Sequence, residues 1–374
     1  MSSPAPILVL SFNRPDYLER VLVSLRNQTG VALNDHPIYL FQDGGVNCHS
    51  GKRHASDDDL SRNVALFTAY FPNGIVRRSP DNLGVALNFE RAEKEAFDVL
   101  HADFGIFLED DLELGPYYLK TMLHMAEMVL SREDIGYFAA YGKHHSTLEH
   151  QRAFANQIIP LNHNWGFGLT KKQWHRSAPY VEQYLALVRE VDYRDRPHEA
   201  IFKLTQSWGC GAPGSSQDVI KSIACHLTGG CKINTTPAFG QYIGETGLHS
   251  TPELFSRMGF GKTQVMTEDV FRKESFSDEE IRMAHNALTR YSEQVLPAAR
   301  LDASLSPGAK SDLEQRMIVA LFEVFLERVP DESGMRTYLN GIRNRDFPQA
   351  AQDIVRGLMN SREFKGLQRK KGAH

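Results

Sequence analysis

Short apolar runs alternate with longer stretches in which apolar residues recur every three or four positions, and this alternation organises the first third of the chain. Pro6-Ile-Leu-Val-Leu-Ser-Phe12 is almost continuously apolar and partly β-branched, as a strand buried on both faces is. Asn13-Arg14-Pro15-Asp16 breaks it. Pro15 suits a first helical turn, and Tyr17, Leu18, Val21, Leu22 and Leu25 follow at helical spacing. Pro37-Ile-Tyr-Leu-Phe-Gln42 reads as a second buried strand that runs into Asp43-Gly44-Gly45. A helix is predicted over 57–71, a third strand over 74–78, a helix over 85–100 and a fourth strand over 104–108, which ends in Glu109-Asp110-Asp111.

Strand and helix alternating in this way predict an α/β fold, a doubly wound and mainly parallel sheet with helices on both faces. In such sheets ligands gather beyond the carboxyl ends of the strands. Asn13-Arg14, Asp43-Gly44-Gly45 and Glu109-Asp110-Asp111 all follow strands there, so three polar clusters are expected on one edge. A helix to about 130 and a strand over 135–140 come next. Residues 155–250 are less regular and rich in Gly, Trp and His, as functional loops of an acceptor-binding half are. The predicted organisation is a large α/β domain over 1–263, a charged connector over 264–310, and a small all-helical module over 311–374, where Met317, Ala320, Leu321, Val324 and Phe325 form one stripe.

Composition narrows the function classes. At 374 residues, 41% hydrophobic and 24% charged, the chain buries a real core and exceeds what one core usually serves. A formal net charge of −4 argues against a nucleic-acid partner, which demands an excess of Lys and Arg on one face. Cys48, Cys210, Cys225 and Cys231 are too few and too dispersed for a disulfide framework or a CxxC pair, and read as reduced and mostly buried. No run approaches the roughly 20 apolar residues of a spanning helix, and Met1–Pro6 lacks a basic leader, so a soluble cytoplasmic protein is expected.

Glu109-Asp110-Asp111 carries the candidate chemistry. A diphosphate concentrates negative charge, and a hard cation such as Mg²⁺ or Mn²⁺ held by one or two carboxylates offsets it. Because strand side chains alternate, the three acids divide the work rather than pointing one way. An idle acidic turn is the competing reading.

Ile7-Leu-Val-Leu-Ser-Phe-Asn-Arg14-Pro, Phe41-Gln-Asp43-Gly-Gly, Asn82-Leu-Gly-Val-Ala86 and Phe107-Leu-Glu-Asp-Asp-Leu-Glu113 fall in the order seen in GT-A-fold glycosyltransferases. The chain resembles most the inverting N-acetylglucosaminyltransferase I group, over about residues 5–250. The resemblance implies a metal-dependent transferase that moves a sugar, GlcNAc-type within that group, from a UDP-sugar donor to a hydroxyl acceptor with inversion. It implies Asp111 as the ligand of Mn²⁺ or Mg²⁺, Glu109 and Asp110 on the donor sugar and ribose, Asp43 and Asn82 on the nucleotide side, and Arg14 by the phosphates or base. Asn164-Trp165-Gly166-Phe-Gly looks like the family's segment beneath the donor sugar, and flanking glycines suggest an open face on Trp165 for stacking. Asp218, just before a helix of about ten residues, lies where the family keeps its catalytic base, although an acid there also serves a helix dipole; Glu245 is the reserve. Gly240-Gln-Tyr-Ile-Gly244-Glu-Thr-Gly247-Leu-His249 resembles the glycine-rich segment that closes over the diphosphate, with His249 either completing the metal shell or capping the loop.

The tail, Phe325-Leu-Glu-Arg-Val-Pro330 to Ser361-Arg-Glu-Phe364, is similar to a bacterial helical module found on secreted and glycan-related proteins. Its expected role is contact with a partner, an acceptor or a second subunit. The acceptor itself, whether glycan, lipid-linked glycan or protein, is left open. Two rival readings stand beside the transferase. A sugar-phosphate nucleotidyltransferase would need a Gly-rich basic loop after the first strand, where Ser11-Phe-Asn-Arg-Pro15 stands instead. A non-catalytic nucleotide- or glycan-binding protein of the same fold would keep the sheet without turnover.

Overall fold

In the computed structural model, the described residues are 4–247, 251–293, 318, 322, 330, 332–342, 354–355, 358, 361 and 365. The chain divides into two units, Met1–Gln294 and Val295–His374.

The first unit begins β1 (Ile7–Ser11), α1 (Pro15–Arg26), β2 (Ile38–Gln42), α2 (Asp57–Tyr70), β3 (Ile75–Arg78), α3 (Gly84–Lys94) and β4 (Phe104–Glu109). Each element lies within a residue or two of its apolar pattern except α3, whose last predicted turn, Glu95–Val99, widens into a π-helix. There follow β5 (Leu112–Leu114), α4 (Tyr118–Val129), β6 (Ile135–Ala139), α5 (Leu148–Ala153), β7 (Ile158–Pro160), β8 (Gly166–Thr170) and α6 (Lys171–Val188). Then come α7 (His198–Ser207), α8 (Gln217–Leu227), β9 (Cys231–Thr235), β10 (Gly240–Tyr242), α9 (Pro252–Met258) and α10 (Asp278–Glu293).

Eight strands form one mixed sheet in the order β3-β2-β1-β4-β8-β6-β9-β7. The first four run parallel; β8 is antiparallel to both β4 and β6, and β7 to β9. Continuous burial of β1, β2, β6, β8 and β9 reflects helices on both faces of the sheet, the reason these runs are apolar without alternation. A second small sheet pairs β10 with β5 antiparallel, Tyr242 opposite Leu112. That ribbon carries the 240–247 segment back over the acids that end β4.

Residues 264–293, read from sequence as the start of a connector, lie within the first unit. Met266, Phe271, Phe276, Ile281, Ala284 and Leu288 are buried in its main core, and α10 packs beside β7, β9 and α8. In the second unit a helix spans Glu332–Ile342, Phe322 meets Tyr338 edge-on at 5.4 Å, and Ile318, Ile354 and Leu358 are buried. The rest of the predicted helical module lies outside the described residues. Among the described residues no helix is long and apolar enough to cross a membrane. All four cysteines are free, three of them buried and Cys48 exposed.

Candidate active site

The polar turns after β1, β2 and β4 meet at one edge, and a buried amide fixes the first of them. Asn63 of α2 donates to Ser11 Oγ at 3.0 Å, to Phe12 O at 2.8 Å and to Gln42 Oε1 at 3.1 Å, while Gln42 Nε2 donates to Phe12 O at 2.8 Å. This knot holds the turn that launches Arg14 toward β4.

Arg14 lies against the acids rather than standing free for a ligand. Its Nη2 bonds Asp110 Oδ1 and its Nη1 lies 2.8 Å from Asp111 Oδ2. Asp110 Oδ2 also takes the Phe12 N–H at 3.4 Å. Asp110 and Asp111 are each 3% exposed. Asp111 Oδ1, buried, has no hydrogen-bond partner. Burial pushes the Asp111 carboxyl up to about 6 despite the opposing pull of Arg14. Glu109 is raised well above the ordinary carboxylate range, first by desolvation, then by the charges of Asp111 and Asp218. The Glu109 N–H donates to Trp165 O at 2.9 Å, and the preceding residue, Asn164, donates to Asp218 Oδ1, so one segment links the acid cluster to the candidate base.

Asp218 is half-buried in the first turn of α8, where its Oδ1 accepts from Asn164 Nδ2 at 3.3 Å and from Gln217 Nε2. Behind it, Ser222 Oγ donates to Asp218 O at 2.7 Å and receives the buried Lys232 Nζ at 2.8 Å. Desolvation lowers Lys232 to about 8, against the opposing pull of Asp218.

The glycine segment closes the site from the other side. The Ile243 N–H donates to Asp111 O at 2.8 Å, and a Cβ on Gly244 would sit 2.8 Å from Asp111 Oδ2 and 2.4 Å from the Tyr242 hydroxyl oxygen, so only glycine admits this approach. The Thr246 N–H donates to the Tyr17 hydroxyl at 3.2 Å. Glu245 is exposed at the rim of this turn. His249 lies outside the described residues.

Three expectations change. Asp43 spends its carboxylate inside the protein: Gly44 N–H at 2.9 Å and Leu83 N–H at 2.8 Å on Oδ1, Gly84 N–H and Asn82 Nδ2, both at 3.0 Å, on Oδ2. Four donors fill the lone pairs of a carboxylate, so Asp43 and Asn82 clamp the 81–84 turn to the end of β2 rather than presenting free groups to a base. Trp165 is covered on both ring faces, stacked on Tyr242 at 4.2 Å and His163 at 4.4 Å, with Phe260 edge-on at 5.1 Å. Flanking glycines leave space that other aromatics fill. Gly166 has a packing cause, since a Cβ there would lie 2.3 Å from Leu112 Cδ2. Sequence reasoning missed the roles of Asn63, Tyr17 and Asn164, which depend on contacts 50 or more residues away, and of Lys232, which reaches Ser222 ten residues earlier across the α8–β9 turn; none leaves a local pattern.

Which residues could hold a metal follows from this geometry. Among the described residues no group of three or more His, Cys, Asp or Glu side chains converges as a metal cage. Asp111 Oδ1, a buried and unpaired hard oxygen, nonetheless fits a Mg²⁺- or Mn²⁺-type ion that takes one or two carboxylates and completes its shell from phosphates and water.

No family model and no curated protein matches the chain. Solved structures similar to it include a mannosyltransferase from Pyrobaculum calidifontis in complex with GDP-Man and Mn²⁺, 9% identical, covering 98% of this chain and 83% of that one, TM-score 0.40. S. aureus TarS is 12% identical with TM-score 0.36; the match covers 95% of this chain and 50% of that protein. Glucosyl-3-phosphoglycerate synthase from Mycobacterium tuberculosis, in complex with Mn²⁺, UDP and glucosyl-3-phosphoglycerate, is 12% identical over 69% of this chain and 76% of that one, TM-score 0.35. Likeness at this level assigns nothing to this chain, whose chemistry is read from its own residues.

Proposed function

We propose that the chain is a metal-dependent GT-A-type glycosyltransferase that moves a sugar from a UDP-sugar to a hydroxyl acceptor with inversion. The observation that carries the reading is the orphaned Oδ1 of Asp111, buried at the carboxyl edge of the sheet on a carboxylate whose other oxygen the Gly244 turn approaches. An unpaired buried carboxylate oxygen destabilises the free protein, and a cation is the partner that relieves it. When bound, the cation supplies charge neutralisation to the diphosphate and its leaving oxygen.

The chain's own groups do the rest. Asp111 holds the cation, with Asp110 beside it. Glu109, next to Asp110 at the end of β4, meets a hydroxyl of the donor sugar. Gly244 lets the 243–247 turn approach Asp111 closely. Asp218, at the amino end of α8 where the helix field favours an anion, takes the acceptor proton as its oxygen bonds the anomeric carbon. The sugar–phosphate bond breaks and its electrons leave with the diphosphate. Asn164 and Gln217 hold that carboxylate in place. The acceptor is a glycan, lipid-linked glycan or protein hydroxyl.

Calorimetry of UDP with and without Mn²⁺, beside a donor-hydrolysis assay, tests the reading. Mn²⁺-dependent UDP binding with slow donor hydrolysis is expected. Binding without hydrolysis or transfer on any acceptor points instead to a non-catalytic binding protein, and no binding of UDP at all overturns the proposal.

A further inference from the structure

We infer that Arg14 is a built-in counter-cation of the acid cluster, one that must leave Asp111 before a metal–diphosphate can settle and that then turns to the phosphates. This rests on the function proposed above. The guanidinium reaches Asp110 Oδ1 and, at 2.8 Å, Asp111 Oδ2, the second oxygen of the carboxylate whose unpaired Oδ1 the proposed metal ion would take. A guanidinium and a divalent cation repel strongly when they share one carboxylate in a poorly hydrated site. The two states are therefore exclusive.

The arm is built to move. Its side chain is 25% exposed whereas those of its two partners are 5% exposed, so it has a route outward that they lack. It lies over the Tyr17 ring at 5.5 Å, and its Nη1 is 3.4 Å from where a Cβ on Gly247 would be. Tyr17 in turn takes the Thr246 N–H. Arg14 is thus sandwiched between the acids and the 243–247 turn expected to cover a diphosphate. A planar fork that binds two carboxylate oxygens binds two phosphate oxygens equally well. Exchange of partners, carboxylates for phosphates, needs only rotation of the side chain. Arg14 is then a positioning residue that makes metal and nucleotide bind together, each weak without the other.

Mn²⁺ binding to the full chain, followed by electron paramagnetic resonance and calorimetry with and without UDP, tests this in wild type, Arg14→Met and Arg14→Lys, with thermal unfolding as the check on folding. Without nucleotide, Arg14→Met is expected to bind Mn²⁺ at least ~10-fold more tightly than wild type. With saturating Mn²⁺ its UDP affinity is expected to fall at least ~10-fold. Arg14→Lys, whose point charge cannot bridge both acids, falls between on both measures and serves alone if Arg14→Met does not fold. A residue that merely props the fold lowers both affinities together, and that result, or an unchanged Mn²⁺ affinity without UDP, overturns the inference while wild type still binds UDP with Mn²⁺. If wild type binds neither Mn²⁺ nor UDP, the transferase reading fails first and takes this one with it.

Discussion

Asp111→Asn separates two consequences of the proposed metal role of this buried carboxylate. In the folded protein Asp111 titrates at about 6 instead of its ordinary 3.8, so ionising it opposes folding as pH rises from about 4 to 6, and the full cost stands above 6. About 2 units at ~1.4 kcal/mol each give at most about 3 kcal/mol, undiminished by solvent because the residue is 3% exposed. Asparagine has nearly the same shape, keeps a carbonyl oxygen for Arg14 Nη1 and removes the charge. At pH 8 the variant should therefore be as stable as wild type or more so, by up to about 3 kcal/mol, which is a rise of several degrees in melting temperature. The advantage should shrink at pH 5, where wild type is largely protonated. Mn²⁺-dependent UDP binding should be lost in the same variant. Scanning calorimetry at pH 5 and 8, with UDP titrations at pH 8, reads both. A variant less stable than wild type at pH 8 refutes the claim that burial of this carboxylate outweighs its pairing with Arg14, and an unchanged UDP affinity refutes the metal role.

Asp218→Asn should bind UDP and Mn²⁺ nearly as wild type while turnover falls by ~10²-fold or more, because only proton removal is lost; a near-normal rate places the base elsewhere. Asp43→Ala strips partners from three backbone N–H groups and Asn82, and should cost about 2–4 kcal/mol in urea unfolding; an undisturbed midpoint means the clamp is idle. Lys232, lowered to about 8 by burial, opposes folding at pH 7 and does so less as pH rises from about 8 toward its ordinary 10.5. Lys232→Met should thus raise stability at pH 7 and, by removing a cation near Asp218, move the acidic limb of the pH–rate profile upward; a limb that stays put dissociates Lys232 from the base.

The parallel half of the sheet was legible because strands buried on both faces must be apolar throughout, and β1, β2 and β4 are. Their polar ends gave the site edge for the same reason. The antiparallel insertion of β8 was not legible: Gly166 and Gly168 look like loop residues, yet Gly168 is in the strand because a Cβ would lie 2.1 Å from the Phe138 ring. Nor was α6, since Pro179 inside it reads as a stop. The sequence pattern marks Asp43 as an acid after a strand and cannot show the four donors that face it. Nor does it show the stacking of Trp165 on Tyr242 and His163.

Those corrections tighten the mechanical picture. Trp165 O takes the Glu109 N–H at 2.9 Å, and its neighbour Asn164 holds Asp218. One short segment before β8 thus joins the metal-side acids to the candidate base, and a ring column locks that segment in place. On the opposite wall Asp43 fixes Gly84, which packs against Tyr193, whose hydroxyl takes the Gln217 N–H at 3.2 Å. Residues read as ligand contacts therefore act as the frame that sets the spacing of Glu109, Asp111 and Asp218. Loosening either wall should lower turnover before it lowers nucleotide affinity, because proton transfer depends on position far more steeply than charge pairing does.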